Sequence, residues 1–412
     1  MVSPRDRSAC RTKTLQRLKP KSPPARRMDF DITWLLLGLP LAFGLGWAAS
    51  RFDLRQLRLE NRRAPKAYFR GLNFLLNEQQ DQAIDAFIEA VQNDPDTSEL
   101  HFALGNLFRR RGEYERAVRV HQHLLSRGDL GTADRHRAQH ALALDYLRAG
   151  LLDRAEEALL KLEGTTYQSE ARLALLANYE RSRDWVHAAD VAQRLEDAEP
   201  GSFTGRFAHY LCEQATARLA VHEPDAAQDL LEKAIRNAPD APRPRIELAK
   251  LLGHRGDAAA AMAVLEQIHQ RAPASVPLIA GHLAQLGIAS GQATRALDLM
   301  KAHYAESPCL DCLEAIVTLE QHLGASAQAA RQWYLRHLEN EPSLVAASRW
   351  LTGENTSDPP SQALVQRALD HAAKPLTRYR CAACGFEAKQ HFWQCPGCQA
   401  WDSYPARRVE EL

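Results

Sequence analysis

Between residues 67 and 342, small and apolar residues return in one order, at a spacing close to 34. The first block places Gly71, Phe74, Ala83, Phe87, Ala90 and Pro95 at offsets 0, 3, 12, 16, 19 and 24. Gly105, Phe108 and Ala117 repeat it 34 residues later. The equivalent alanine recurs at Ala155, Ala188, Ala227, Ala261, Ala296 and Ala330, in steps of 38, 33, 39, 34, 35 and 34. Pro200, Pro239, Pro273, Pro308 and Pro342 recur at the matching end position. These blocks predict pairs of antiparallel helices, in which small residues permit close approach and proline ends the second helix. Turns such as Arg111-Gly112-Glu113-Tyr114 and Arg255-Gly256-Asp257 place a glycine between the two helices.

The pattern is that of tetratricopeptide repeats, about eight units over residues 67–351. One helical pair cannot bury its own apolar face, so the units are expected to stack into an all-α superhelix with a concave groove for proteins or peptides. No P-loop, GxSxG or HExxH motif occurs in the chain. The expectation is a binding protein, not an enzyme.

A different pattern precedes the array. Ile32 to Ser50 is a run of nineteen residues without a charge, about 28 Å as a helix and close to the thickness of a bilayer core. Trp34 and Trp47 fall near its ends, where an aromatic belt would sit. Pro40 is placed to kink it, and Gly38, Gly44 and Gly46 offer a small-residue face for a partner helix, which would suit a homo-oligomer. A cleaved signal peptide is the weaker reading, because the run is longer than a usual signal core. Residues 28–50 are therefore expected to be a transmembrane anchor. Residues 51–66 form a basic juxtamembrane segment that includes Arg51, Arg55, Arg58, Arg62 and Arg63, which places the C-terminal body in the cytoplasm. Residues 1–27 hold nine Lys or Arg and one Asp, and argue for the opposite orientation. The conflict is resolved if Met28 is the natural start, with residues 1–27 an over-called start or a disordered tail.

The chain closes on four cysteines, Cys381, Cys384, Cys395 and Cys398, in two C-x-x-C pairs ten residues apart. That spacing points to a Cys₄ metal site. Gly385 follows the first pair and Pro396-Gly397 lie inside the second, glycine permitting the positive-φ turn that aims N–H groups at the sulfurs. A closed Cys₄ shell leaves no open position for hydrolysis, so one Zn or Fe ion would either fold the tail or pass electrons. Residues 379–404, within the 379–412 metal module, are too few to bury a core of their own. Tyr379, Phe386, Phe392, Trp393, Trp401 and Tyr404 must cover the metal or dock the module onto something larger, and docking is favoured. Residues 352–378 would be a polar linker, Thr352 to Ser361, and a short amphipathic helix. Its face of Leu364, Val365, Ala368 and Leu369 is expected to hold the module against the last repeats.

Charge narrows the partners. The net of +1 conceals a body of 43 basic and 50 acidic side chains after residue 27, a poor candidate for nucleic-acid binding. Cys309 and Cys312 form a third C-x-x-C with no second pair, and are read as buried small hydrophobes rather than a redox dithiol. His121 and His123 are read as surface histidines, and Arg109, Arg110 and Arg111 as a solvated helix end.

The order of parts resembles the LapB (YciM) lipopolysaccharide assembly protein B family of Gram-negative bacteria. The resemblance runs from about Met28 to the C-terminus. It rests on the single span, the basic stretch after it, the repeats, and the ending RYRCAACGFEAKQHFWQCPGCQAW. That ending looks like the family's rubredoxin-type module, with Cys381, Cys384, Cys395 and Cys398 as its four ligands. The resemblance implies a single-pass inner-membrane adaptor facing the cytoplasm. It also implies that the adaptor promotes degradation of the deacetylase LpxC by the FtsH protease, meets a YejM-type membrane regulator, and gathers other lipopolysaccharide assembly proteins. The alternative is a membrane-anchored, rubredoxin-like electron-transfer protein that uses its repeats to bind a partner.

Overall fold

A computed structural model describes residues 40–48, 66–93, 97–198, 203–352 and 359–412. Residues 40–48 form a helix, α1, whose Leu41, Phe43, Leu45 and Trp47 are exposed. Pro40 and Gly44 lie on it. No helix among the described residues is long and apolar enough to cross a membrane. Trp34, the rest of the 28–50 segment outside α1, residues 1–27 and the arginines at 51, 55, 58, 62 and 63 lie outside the described residues.

The chain divides into two compact units, the first ending at Asp94. In the first, α2 (Lys66–Leu76) and α3 (Gln80–Asn93) form an antiparallel hairpin. A Cβ on Gly71 would stand 2.9 Å from the Phe87 ring, closer than side chains pack, so the repeat glycine is a space requirement.

The second unit carries seven helical pairs among the described residues. They are α4 (Ser98–Arg110) with α5 (Tyr114–Ser126), α6 (Thr132–Ala149) with α7 (Leu152–Leu160), and α8 (Gln168–Ser182) with α9 (Trp185–Ala198). Next come α10 (Thr204–Ala220) with α11 (Pro224–Asn237), α12 (Pro242–His254) with α13 (Ala258–Arg271), and α14 (Val276–Ala289) with α15 (Ala293–Glu306). The pair α16 (Leu310–His322) and α17 (Ala327–Asn340) completes the series; α18 (Leu344–Leu351) packs on α17 and α19 (Pro359–Ala373) on α18. The repeat alanines at 117, 155, 188, 227, 261, 296 and 330 are fully buried, as is Ala83 of the first unit. The two longest steps have a visible source: α6 runs 18 residues and α10 17, against 13 for α4. First helices of successive pairs pack on one another, α4 on α6, α10 on α12 and α14 on α16. They therefore line the inner side of the curve, where the radius is shorter.

Three readings of the sequence change here. His121 is fully buried, not a surface residue, with Nδ1 2.5 Å from Asp145 Oδ2. Arg109 is not a solvated helix end: it donates to the other Asp145 oxygen at 2.8 Å and to the Ala141 carbonyl at 3.1 Å. Asp145 is a buried carboxylate, and such a group needs partners of this kind. Helix α19 also turns the other way from its expected face. Leu364, Val365 and Ala368 are exposed and Leu369 is half-buried. The helix is held instead by polar contacts to α18, Ser348 Oγ to Asp370 at 2.5 Å and Gln366 to Ser348 Oγ at 3.0 Å, with Ala373 buried near its end. Cys309 and Cys312 are buried, and the Cys309 sulfur accepts the Cys312 N–H at the start of α16. The Cys309 sulfur and burial push the Cys312 thiol far up, the reverse of what a redox nucleophile requires.

Candidate metal centre

The module begins with a two-stranded antiparallel ribbon, β1 (Tyr379–Arg380) and β2 (Glu387–Ala388). The two cysteine pairs sit on turns built alike. In the first, the Gly385 N–H donates to the Cys381 carbonyl at 2.8 Å and the Cys381 N–H to the Phe386 carbonyl at 2.9 Å. In the second, Gln399 donates to Cys395 at 2.8 Å and Cys395 to Ala400 at 2.9 Å. The positive-φ position is Gly385 (+77°) in one and Gln399 (+62°) in the other, not Gly397 as the motif suggested. Gly397 serves close approach, since a Cβ there would meet the Phe386 Cβ at 3.4 Å.

All four sulfurs lie within 4.8 Å of one another. Cys381 and Cys398 are 3.8 Å apart, and Cys384 and Cys395 3.7 Å. A tetrahedron with metal–sulfur bonds of about 2.3 Å has edges of about 3.8 Å, while a disulfide needs about 2.05 Å. The four thiols are free, and their spacing fits one metal ion.

Electrostatics argue likewise. The Ser403 hydroxyl, against burial and helped by the Cys384 and Ala383 N–H groups, pushes the Cys381 thiol down to about 6. Burial opposes ionisation of Cys395, but the Cys398 and Gly397 N–H groups outweigh it and its thiol also falls. At Cys384 the Phe386 N–H pulls down, yet burial and the three neighbouring sulfurs push the thiol up to about 12. A cluster that ionises some thiols and resists ionising another is one that a divalent cation completes. Cys381, Cys384, Cys395 and Cys398 would hold it, and the closed shell would supply structure or one-electron redox chemistry.

Cys381 and Cys395 are buried under Tyr379 and Tyr404, with Phe392 and Leu278 of α14 packed beside them. Phe386 is exposed. Trp401 leaves the module altogether. It stacks on His209 of α10 with centroids 4.8 Å apart, stands edge-on to Trp185 and Tyr210, and donates Nε1–H to Glu180 Oε1 of α8 at 2.9 Å. An Arg243 N–H of α12 lies 3.4 Å from His209 Nδ1, which leaves His209 Nε2 to donate to the Asp402 carboxylate at 2.9 Å. Arg408 grips Asp311 of α16 with two bonds, 2.9 and 2.6 Å, and lies 4.2 Å over the Tyr379 ring.

The chain end caps two repeat helices. Glu411 Oε1 accepts the Leu310 N–H at 2.7 Å, at the start of α16. Glu410 accepts the Leu344 N–H at 2.5 Å and the Ser343 hydroxyl at 2.7 Å, at the start of α18. Carboxylates at helix N-termini satisfy orphan donors and complement the dipole. The module is thus seated along the inner helices from α8 to α16, not against the last repeats alone as expected. Trp401 was among the aromatics expected to dock, but no local motif announced His209, Glu180, Arg408, Glu410 or Glu411 as docking residues. The tryptophan surplus was the available signal.

Burial holds His303, His337 and His391 below the ordinary histidine value of 6.5. Each ring binds a proton more weakly folded than unfolded, so its contribution is present above pH 6.5 and fades as pH falls below it. His101, His140 and His282 are lowered in the same way, while Glu411, raised by burial, and His187, raised by its Asp184 partner, act in the opposite sense, two groups against six. Thermal unfolding of the full chain should show a lower midpoint near pH 5 than near pH 7.

These features define a class, a tetratricopeptide solenoid carrying a rubredoxin-type metal module in its groove. Residues 379–404 match the LapB zinc-ribbon family, described as a rubredoxin metal binding domain, and residues 70–122 and 218–286 match tetratricopeptide repeat families. Lipopolysaccharide assembly protein B of Escherichia coli K12 is 30% identical over 393 residues, covering 92% of this chain and 99% of that protein. The protein of that name from Haemophilus influenzae is 27% identical, covering 90% and 97%. A solved tetratricopeptide protein from Parabacteroides merdae is similar at a TM-score of 0.32 and 15% identity, covering 63% of this chain and 99% of that one. The chain belongs to the lipopolysaccharide assembly protein B family.

Proposed function

We propose that the protein is an inner-membrane adaptor of lipopolysaccharide synthesis that brings LpxC to the FtsH protease. The observation that carries this reading is the match with the E. coli relative over 99% of its length, which includes both the repeats and the metal module. The 28–50 segment would anchor the chain, with Trp34, Pro40, Gly44 and Trp47 in the span and the basic arginines after it keeping the body in the cytoplasm. Confinement to the membrane raises the effective concentration of a client beside a membrane protease. The span would also meet a YejM-type regulator, and the array other assembly proteins. Because the module covers the inner side from α8 to α16, client binding falls to the inner face of α4 and α6. Depletion of the protein in its native host should lengthen LpxC half-life, read by a translation-block chase. An unchanged half-life would remove this function and leave the architecture standing.

A further inference from the structure

A cavity of about 440 Å³ opens at the seam between the metal module and the inner helices. Lys250 of α12 and His282 of α14 line it from the repeats, and Lys389 and Arg408 from the module. Tyr379 and Trp393 supply an aromatic wall, with Leu278 beside them. No carboxylate lines it, although the chain after residue 27 carries more acidic than basic side chains.

The charges there are unevenly satisfied. Arg408 is committed to Asp311. Lys250 has one partner, Glu247 at 3.1 Å on the same helix, in a part-exposed pair of the kind that contributes little. Lys389 has no ion-pair partner among the described residues, and its side chain is exposed. The surplus is felt at His282, whose ring is held below its ordinary value by burial first and then by Lys250 and His254.

We propose that this cavity binds a small phosphate-bearing molecule whose ring or apolar portion lies on Tyr379 and Trp393. Two lysines converging on one cavity, with the imidazoles of His282 and His391 as hydrogen-bond partners, suit a group of charge near −2 better than a single carboxylate. The volume is that of a small-molecule site, with an apolar wall and a few polar groups. Both module and repeats contribute to its walls, so a ligand that bridges them stabilises the docked arrangement by mass action. Occupancy would thereby tune how firmly the module holds the groove. This inference rests on the docked module and not on the adaptor reading.

The test is calorimetric titration of the full, metal-loaded chain with three probes: phenyl phosphate, inorganic phosphate, and phosphatidylcholine vesicles containing phosphatidic acid. Saturable binding of phenyl phosphate is expected at a Kd of about 1 mM or tighter, and tighter than that of inorganic phosphate. Lys250→Gln and Lys389→Gln should each weaken it about tenfold, with helicity and metal content unchanged. Lys161→Gln, an exposed lysine on α7's C-terminal side, should leave it unaltered. Binding of the vesicles alone, with the same loss in the two cavity variants, would support the site and assign the phosphate to a lipid headgroup. Absence of saturable binding for all three probes would overturn the proposal. So would equal affinity in wild type and both cavity variants, or an equal loss in Lys161→Gln. LpxC half-life is a separate readout, so this proposal can fail while the adaptor reading stands.

Discussion

Cys395→Ser should release the metal, unfold residues 379–404 and leave the repeats helical. Cys395 is a buried ligand with its N–H bonded to Ala400 and its sulfur 3.7 Å from Cys384. Structural zinc in small modules contributes an apparent ~10–16 kcal/mol at neutral pH, most of it folding free energy. Losing one thiolate of four removes a large part of that. The module has two short strands and a core of only four buried residues, Tyr379, Cys381, Cys395 and Tyr404, so its own fold depends chiefly on the metal. The repeat cores are separate clusters of buried aliphatic and aromatic side chains. Metal analysis should read near zero while circular dichroism retains the helical signal. Full metal content in the variant, or collapse of the helices with the module, would contradict the assignment.

Trp401→Ala should undock an otherwise intact module. The indole meets Trp185, His209 and Tyr210 and satisfies one oxygen of Glu180. Trp401 is half-buried, and tryptophans packed into an interface in this way are hot spots whose truncation costs about 2–4 kcal/mol. Glu180 would keep the Tyr210 hydroxyl and a distant Arg206 but lose the indole donor, which adds to the cost. The four sulfurs lie on the turns at 381–385 and 395–399, so metal binding itself should survive. The expected result is normal metal content with faster proteolysis within residues 352–378. Unchanged protease resistance would mean that Arg408 and the chain end suffice to hold the module.

Some of this was legible along the chain and some was not, for physical reasons. The repeat alanines and the cysteine pairs are local patterns: a helix pair or a metal turn is specified within about 40 residues, so spacing reveals it. Docking is not local. Trp401 meets Glu180 across 221 positions and Arg408 meets Asp311 across 97. Glu410 and Glu411 look like an ordinary charged tail, and only the fold brings them to the starts of α18 and α16. His121 was misread because its partner Asp145 lies 24 residues away on the next pair, where a buried carboxylate leaves no periodic trace. Gln399 shows the limit of the glycine rule, since the turn imposes φ of +62° on a residue that does not favour it.

The central claim is that a metal-folded module, latched by the chain end, is seated on the inner helices of the array. Hydrogen exchange at Leu310, Leu344 and Val345 tests it most directly, because their N–H groups are held by Glu411 and Glu410. Exchange should be slow in the metal-loaded chain and accelerate after chelation, with the buried interior of α14 unchanged. Equal protection at those three amides with and without metal would contradict the account.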